Sequence, residues 1–484
     1  MNIEELSGLD AAFLYLETPK IPMHIGGVSI IEGSLPFDDF RQFVQDRLHT
    51  VEKLTQKLAM VPMSLDRPYW VDDADFDLSL HVHRVKLPRP GGWKELRHLA
   101  SSLFSQQLNR ERPLWEFIFV EEIDSIPKVP KGSVALISKL HHCGFDGMSG
   151  ADLMSMLFDV SPKPQTVAPP RLKIREDIPS PVGLITKSAY HFFTRPRKLP
   201  SLLWDTGKSA LKVLSLARSQ GITGPTMPFS APKTSFNDTV EAGRVWDSVI
   251  LDINQVKALR NAVQGATLND VILAICAGAL RRYLLKKNEL PDKPLVAMIP
   301  VSNRTAEEKN SMGNQVFAMY VQLATDLEDP IKRLEKICLN TVIAKLYQDV
   351  TDAKGLMGYA ELIPFGLAGV AAGLYTLAGI AKLHKPFFNV IITNVPGAQT
   401  PLYIAGHKLI MHMGAAPIFD GMGLIMPIYS YNGSISISPT SALNLMPDMD
   451  DFTLYISESA EELEEAVKQK MNEAAVLKKF LEHD

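Results

Sequence analysis

At 484 residues the chain is too long for one hydrophobic core and points to two or three domains. Apolar residues make up 46% and charged ones 21%, which excludes wholesale disorder; a formal charge of −4 excludes the broad basic field that nucleic-acid binders set against phosphate. Three cysteines, Cys143, Cys276 and Cys338, are too few and too far apart for a disulfide framework or a zinc ribbon, so a reducing compartment and no metal are expected.

The N-terminus, "MNIEELSGLDAAF", has two glutamates where a signal peptide would be basic, and a cytoplasmic location is expected. Next, "HIGGVSII" (24 to 31) reads as a strand and "DDFRQFVQDRLHTVEKL" (38 to 54) as an amphipathic helix. "WEFIFVEEI" (115 to 123) and "VALISKL" (134 to 140) read as further strands. This alternation predicts an N-terminal α/β domain over residues 1–168. Six prolines in 161 to 181 do not suit element interiors and mark the start of a linker, expected over 169–235.

Inside that linker, "PSLLWDTGKSALKVLSLAR" (200 to 218) is amphipathic at helical spacing. Lys187 to Arg218 holds seven Lys or Arg against one acid, Asp205. With Phe192, Phe193 and Trp204 it suits an anionic membrane surface; an ordinary helix packed on a domain fits equally well. Residues 236–484 then repeat the α/β style, with a helix at 267 to 287, strands at 295 to 302, 317 to 324 and 389 to 395, and a charged helix at 459 to 481. Residues 362 to 381, "LIPFGLAGVAAGLYTLAGIA", are uncharged for 20 positions. A buried or substrate-lining helix, an interface-dipping helix and a membrane span all remain open there, although Pro364 and four glycines weaken a helix in water.

The stretch with the most chemistry is "VALISKLHHCGFDGMSG" (134 to 150). If a strand runs to its end, His141 and His142 point to opposite sides, so one can face a cavity while the other packs. Neutral imidazole takes a proton near physiological pH, which suits a general base. Two satisfied core histidines, or a metal site with Asp146, are competing readings; Asp146 also suits a helix cap. Downstream, Thr267 and Asp270 have the spacing of a capping box, which would set Asn269 in the first helical turn.

The order HHxxxDG, filled by His141, His142, Asp146 and Gly147, resembles the signature of the acyltransferase superfamily that includes chloramphenicol acetyltransferase and peptide-synthetase condensation domains. Within it, the chain resembles the bacterial wax ester synthase/diacylglycerol acyltransferase family. "LSGLDAAFLYLE", "PMHIGG", "RPLWEF", "LNDVILA", "MIPVSNR", "TNVPG" and "SYNG" follow in that family's order, from about residue 6 to 450. The resemblance implies an α/β (α+β) fold of two chloramphenicol-acetyltransferase-like domains, mixed sheets flanked by helices, with the active-site channel between them. It implies transfer of a long-chain acyl group from acyl-CoA to diacylglycerol or a fatty alcohol. Acyl-CoA would be a substrate, with no cofactor.

In that scheme His142 is the base and His141 supports it. Asp146, beside Gly147, is structural and pairs with Arg304; Asn269 donates to the oxyanion, with Asp270 supporting its helix. The family further implies a cytoplasmic protein held peripherally on the inner membrane face or on lipid inclusions. Condensation onto an amine or a carrier-bound acceptor is an alternative on the same fold, and a catalytically silent lipid-surface protein is another. "SISISPTSALNLMPD" (434 to 448) is more serine-rich and less acidic than the family pattern, which bears on acceptor and chain-length preference.

Overall fold

The computed structural model describes residues 4–145, 157–165, 167–169, 181–194, 204, 208, 229–302, 316–348 and 365–481. Strands in the first half are β1 (His24–Ile31), β2 (Gln56–Ala59), β3 (Tyr69–Asp72), β4 (Val82–Lys86), β5 (Trp115–Glu121) and β6 (Val134–His141). Those in the second half are β7 (Arg244–Trp246), β8 (Val249–Asp252), β9 (Val296–Ser302), β10 (Val316–Gln322), β11 (Val390–Pro396), β12 (Tyr403–Ile404), β13 (His407–Ala415), β14 (Leu424–Tyr431), β15 (Ser434–Ile437) and β16 (Thr440–Ala442). Together with the helices that flank them they form mixed sheets, the α/β class expected.

One sheet runs β12-β13-β1-β6-β5-β4, so two strands from the second half complete a sheet built mostly by the first. The other runs β10-β9-β11-β14-β15-β8, with β16 bridging β14 and β7, and β2 pairs with β3 as a separate ribbon. In the first sheet β4 and β5 are parallel and the remaining pairs antiparallel. β6 is buried along its whole length, which is why it reads as a continuous apolar run rather than an alternating one. Its two faces feed separate cores: Val134, Leu136 and Leu140 join one, Ala135 and Ile137 the other.

β1 lies between β13 and β6, and its two glycines make that position possible. A Cβ on Gly26 would overlap the Ser138 carbonyl, and one on Gly27 the Met413 carbonyl. Neither clash can be relieved by a side-chain rotation, because both partners are backbone. Gly26→Ala is therefore expected to lower stability by about 2 kcal/mol through overpacking, read as a lower denaturant midpoint at unchanged slope.

The second half packs around the helix Leu268–Lys286, whose Asp270–Leu280 stretch is buried on every side. The C-terminal helix spans Met449–Leu481 and starts ten residues before the charged periodicity that marks it in the sequence. Its first turns, "DDFTLYIS", carry aromatic and β-branched residues because Phe452 and Ile456 enter the core. The uncharged stretch at 362 to 381 forms a helix only over Phe365–Leu377, and the chain turns at Gly379 with φ of 59°. Residues 362 to 364 lie outside the described ones. Among the described residues no helix is long and apolar enough to cross a membrane.

Candidate active site

β6 ends at His141, and His142 opens the short helix His142–Phe145. The two histidines are held from opposite sides by their own backbones. The His141 N–H donates to the Leu114 carbonyl on the β5 side, and the His142 N–H to the Met23 carbonyl on the β1 side, both at 2.9 Å. The strand ends between them, and both rings meet the Gly8–Leu16 helix and its cap: His142 on Phe13, His141 beside Glu17.

His141 is fully buried. Its Nδ1 accepts the Cys143 N–H at 3.2 Å, so in the neutral ring the proton sits on Nε2. Nε2 lies 3.4 Å from Glu17 Oε2, outside good hydrogen-bond geometry, and the attraction there is chiefly electrostatic. Glu17 is itself buried. Its Oε2 accepts from Arg110 Nη2 at 2.6 Å and Nε at 2.9 Å, and its Oε1 accepts the Met23 N–H at 3.1 Å. Burial pushes the Glu17 carboxyl up, but His141, Arg110 and the Met23 N–H together outweigh it and hold the group below its ordinary value. One carboxylate thus anchors the His141 ring and, through Met23, the strand end that pins the His142 backbone.

The His142 ring is partly exposed and stacks on Phe13 at 3.8 Å between centroids and 6° between planes. A flat, near-parallel contact fixes the plane of the imidazole. Opposite His141 in the sheet register, His24 is buried, and burial first, then the electrostatic influence of its cationic neighbours Lys139 and Arg244, push its pKa well below the ordinary value. It is a buried histidine held in its neutral form.

A cavity of about 570 Å³ has Met23 in its wall. Leu16, Ile21 and Met23 line it from the first half, Tyr375, Phe387 and Phe419 from the second. Met23 belongs both to the cavity wall and to the His142 anchor.

Asn269 and Asp270 sit at the start of the Leu268–Lys286 helix. Asp270 completes the predicted capping box: its Oδ2 accepts from the Thr267 N–H at 2.8 Å, and its own N–H donates to Thr267 Oγ1 at 3.3 Å. Its Oδ1 accepts from Thr341 Oγ1 at 2.7 Å, so both carboxylate oxygens are engaged at the helix start. Asn269 is half-buried, and its Oδ1 meets Asn394 Nδ2 at 3.5 Å, which joins "LNDVILA" to "TNVPG". Asp146, Gly147 and Arg304 lie outside the described residues. Among the described residues one trio could hold a metal ion, Glu5, Asp66 and His191; it includes neither His141 nor His142.

Glu17, Arg110 and Phe13 carry the geometry without having been singled out in the sequence. Glu17 closes the string "LSGLDAAFLYLE", and the signal available was a charged residue at the end of an apolar helical face.

Residues 6–272 match the wax ester synthase/diacylglycerol acyltransferase catalytic domain, and residues 312–464 match the C-terminal domain of that family. A Mycobacterium tuberculosis H37Rv protein named "Putative diacyglycerol O-acyltransferase Rv1760" is 34% identical over 456 residues, covering 92% of this chain and 87% of its own. O-acyltransferase WSD of Acinetobacter baylyi is 28% identical over 464 residues, covering 94% of this chain and 95% of its own. Among solved structures, the wax ester synthase/diacylglycerol acyltransferase of Marinobacter aquaeolei VT8 superposes with a TM-score of 0.67 at 28% identity, covering 96% of this chain and 100% of that one. A starter condensation domain of rhizomide synthetase reaches 0.53 at 12% identity, covering 96% and 95%, a likeness of fold alone. With both domain matches spanning most of its length around the His141–His142 turn, this chain belongs to the wax ester synthase/diacylglycerol acyltransferase family.

Proposed function

We propose that the protein is an O-acyltransferase that moves a long-chain fatty acyl group from acyl-CoA to the hydroxyl of diacylglycerol or a fatty alcohol, with His142 as general base. The observation that supports this reading is the His142 ring, stacked on Phe13, on a residue whose backbone N–H donates to Met23, itself part of the wall of an apolar cavity. An alcohol held beside the ring gives its proton to the imidazole while its oxygen attacks the thioester carbonyl. The tetrahedral oxyanion then collapses, the carbon–sulfur bond breaks, and the CoA thiolate takes the proton back from the imidazolium. Ester and free CoA leave. One base that first accepts and then returns the same proton needs no acyl-enzyme and, in this scheme, no cofactor.

Asn269 is the proposed oxyanion donor. It stands at a helix N-terminus, where the positive end of the dipole favours developing negative charge. Asn269→Ala is expected to lower kcat about a hundredfold with little change in stability, since among the described residues its side chain makes one long contact, to Asn394.

The reading extends to a lipid surface. Val370, Leu374 and Leu377 recur at helical spacing and are 62%, 58% and 85% exposed, while Tyr375 and Thr376 of the same helix line the cavity. We place this face on a membrane or lipid-inclusion surface on the cytoplasmic side, where an insoluble acceptor can pass from lipid to cavity without crossing water. Exposed Trp204, with the Lys208 ammonium 5.2 Å from its ring centre, adds an aromatic–cationic pair suited to anionic headgroups.

Thiol release from palmitoyl-CoA tests the reaction. Hexadecanol or diolein is expected to raise it strongly above the rate without acceptor, with wax ester or triacylglycerol as product. Release that ignores the acceptor, or none with either lipid, refutes the proposal.

A further inference from the structure

Away from the His141–His142 turn, Glu5, Asp66 and His191 gather in a cluster that the acyl-transfer scheme does not use. Backbone pairing places two of them. Glu5 is bridged antiparallel to Tyr69, with the Leu6 N–H donating to the Pro68 carbonyl at 3.0 Å and the Trp70 N–H to the Glu4 carbonyl at 2.9 Å. This sets Glu5 beside the residues that directly follow Asp66. The third comes from the helix Pro181–Thr194, on which Leu184, Ser188 and His191 share one face at helical spacing. Leu184 is buried with Val61 and Tyr69, and the Lys187 ammonium lies 4.7 Å from the Tyr69 ring centre, so the helix is seated on the same ribbon that holds Glu5.

The donor atoms converge. Asp66 Oδ1 accepts the Arg67 N–H at 2.9 Å, and its Oδ2 lies 2.7 Å from His191 Nδ1. Glu5 Oε2 is 3.7 Å from that same nitrogen, and one donor atom from each residue lies within 4.8 Å of the others. Asp66 is buried whereas His191 and Glu5 are partly exposed, so the cluster can be reached from solvent on one side.

We propose that Glu5, Asp66 and His191 form a binding site for a divalent ion of the zinc type, which clasps the helix Pro181–Thr194 to the first half of the chain. Such ions bind imidazole nitrogen and carboxylate oxygen at about 2.0–2.2 Å, so tetrahedral donors stand ~3.4 Å apart. The spacings of 2.7 and 3.7 Å lie on either side of that value, and small rotations of the partly exposed His191 and Glu5 side chains admit the ion without moving backbone. One nitrogen and two carboxylate oxygens fill three corners, and water from the open side fills the fourth. Mg²⁺ and Ca²⁺ call for about six or more oxygen ligands, and an imidazole donor tips the choice toward the zinc type. A proton on His191 Nδ1 would serve the same two carboxylates; the metal ion takes that proton's place and releases it. The test separates these two occupants, and it does not depend on the acyl-transfer reading.

Untagged full-length protein is stripped with EDTA, dialysed, and titrated calorimetrically with Zn²⁺ and, separately, with Mg²⁺. Wild type is expected to take up one Zn²⁺ per chain and no Mg²⁺, and its unfolding midpoint to rise with Zn²⁺. His191→Gln and Asp66→Asn should each weaken Zn²⁺ binding by about a hundredfold or more, and Glu5→Gln by about tenfold or more. Circular dichroism checks that each variant is folded; should the buried Asp66 position not tolerate asparagine, the two partly exposed positions still carry the comparison. Co²⁺ supplies a readout that a merely structural role would not move: the strong visible absorption of four-coordinate Co²⁺ should appear in wild type and be lost in His191→Gln. No Zn²⁺ uptake by wild type overturns the proposal and leaves a His191–Asp66 ion pair only. Uptake that is unchanged in folded His191→Gln overturns it too, because the ion then sits on other histidines of the chain.

Discussion

His142→Ala is expected to reduce acceptor-dependent thiol release by about 10²- to 10⁴-fold, the range a positioned general base contributes. The substitution spares the anchoring. The His142 N–H that donates to the Met23 carbonyl belongs to the backbone and survives in alanine. What disappears is a partly exposed ring stacked on Phe13, so the unfolding midpoint should move little while kcat collapses. His141→Ala differs in kind. That ring lies wholly inside, between Cys143 N–H and Glu17, and its loss should cost stability as well as activity. The decisive comparison is therefore kcat against midpoint for the two variants side by side. A His142→Ala protein that keeps its rate within about tenfold would remove His142 from the role of base.

The strands that carry this chemistry were legible because their signals are local. β1 runs over the span expected for it, and β6 differs by one residue at its end, which is His141 itself. The capping box of Thr267 and Asp270 was equally legible, since its partners are three residues apart. Partners distant in the chain were not. Glu17 and Arg110 are 93 positions apart, and no periodicity marks an acid as half of a buried pair. Of the two strands that return from the second half to complete the first sheet, β13 is placed by its register with β1 and β12 by its register with β13, not by their own composition. The same holds for the glycines of "HIGG": a loose turn and a crowded sheet interior ask for the same residue, and only the neighbours on both sides distinguish them. The length of an uncharged run also misleads by itself, since the stretch at 362 to 381 supports 13 helical residues, among those described, before Gly379 turns the chain.

Glu17→Ala is the second large effect, and it should appear first in stability. The change strips a buried carboxylate from Arg110 and the Met23 N–H together, and the expected loss is about 3 kcal/mol. That is the low end for breaking a buried pair, because the Arg110 side chain is 37% exposed and can recruit water. Glu17→Gln isolates the charge. It preserves shape and an acceptor for Met23, but sets an amide N–H against the Arg110 guanidinium and gives His141 Nε2 a neutral partner. Glu17 titrates in the folded protein below its ordinary 4.5, so its contribution is fully present above that value and disappears as the pH falls through the lower folded value. The stability gap between wild type and Glu17→Gln should accordingly be constant around neutrality and close in acid. A gap that widened in acid would mean that the carboxyl is held above 4.5, and that burial rather than Arg110 and His141 governs it. In activity, Glu17→Gln should lower kcat more than it changes the KM for palmitoyl-CoA, because Glu17 touches neither substrate in this scheme. It acts through the His141 ring and the Met23 strand end, and both of these determine where the His142 imidazole points.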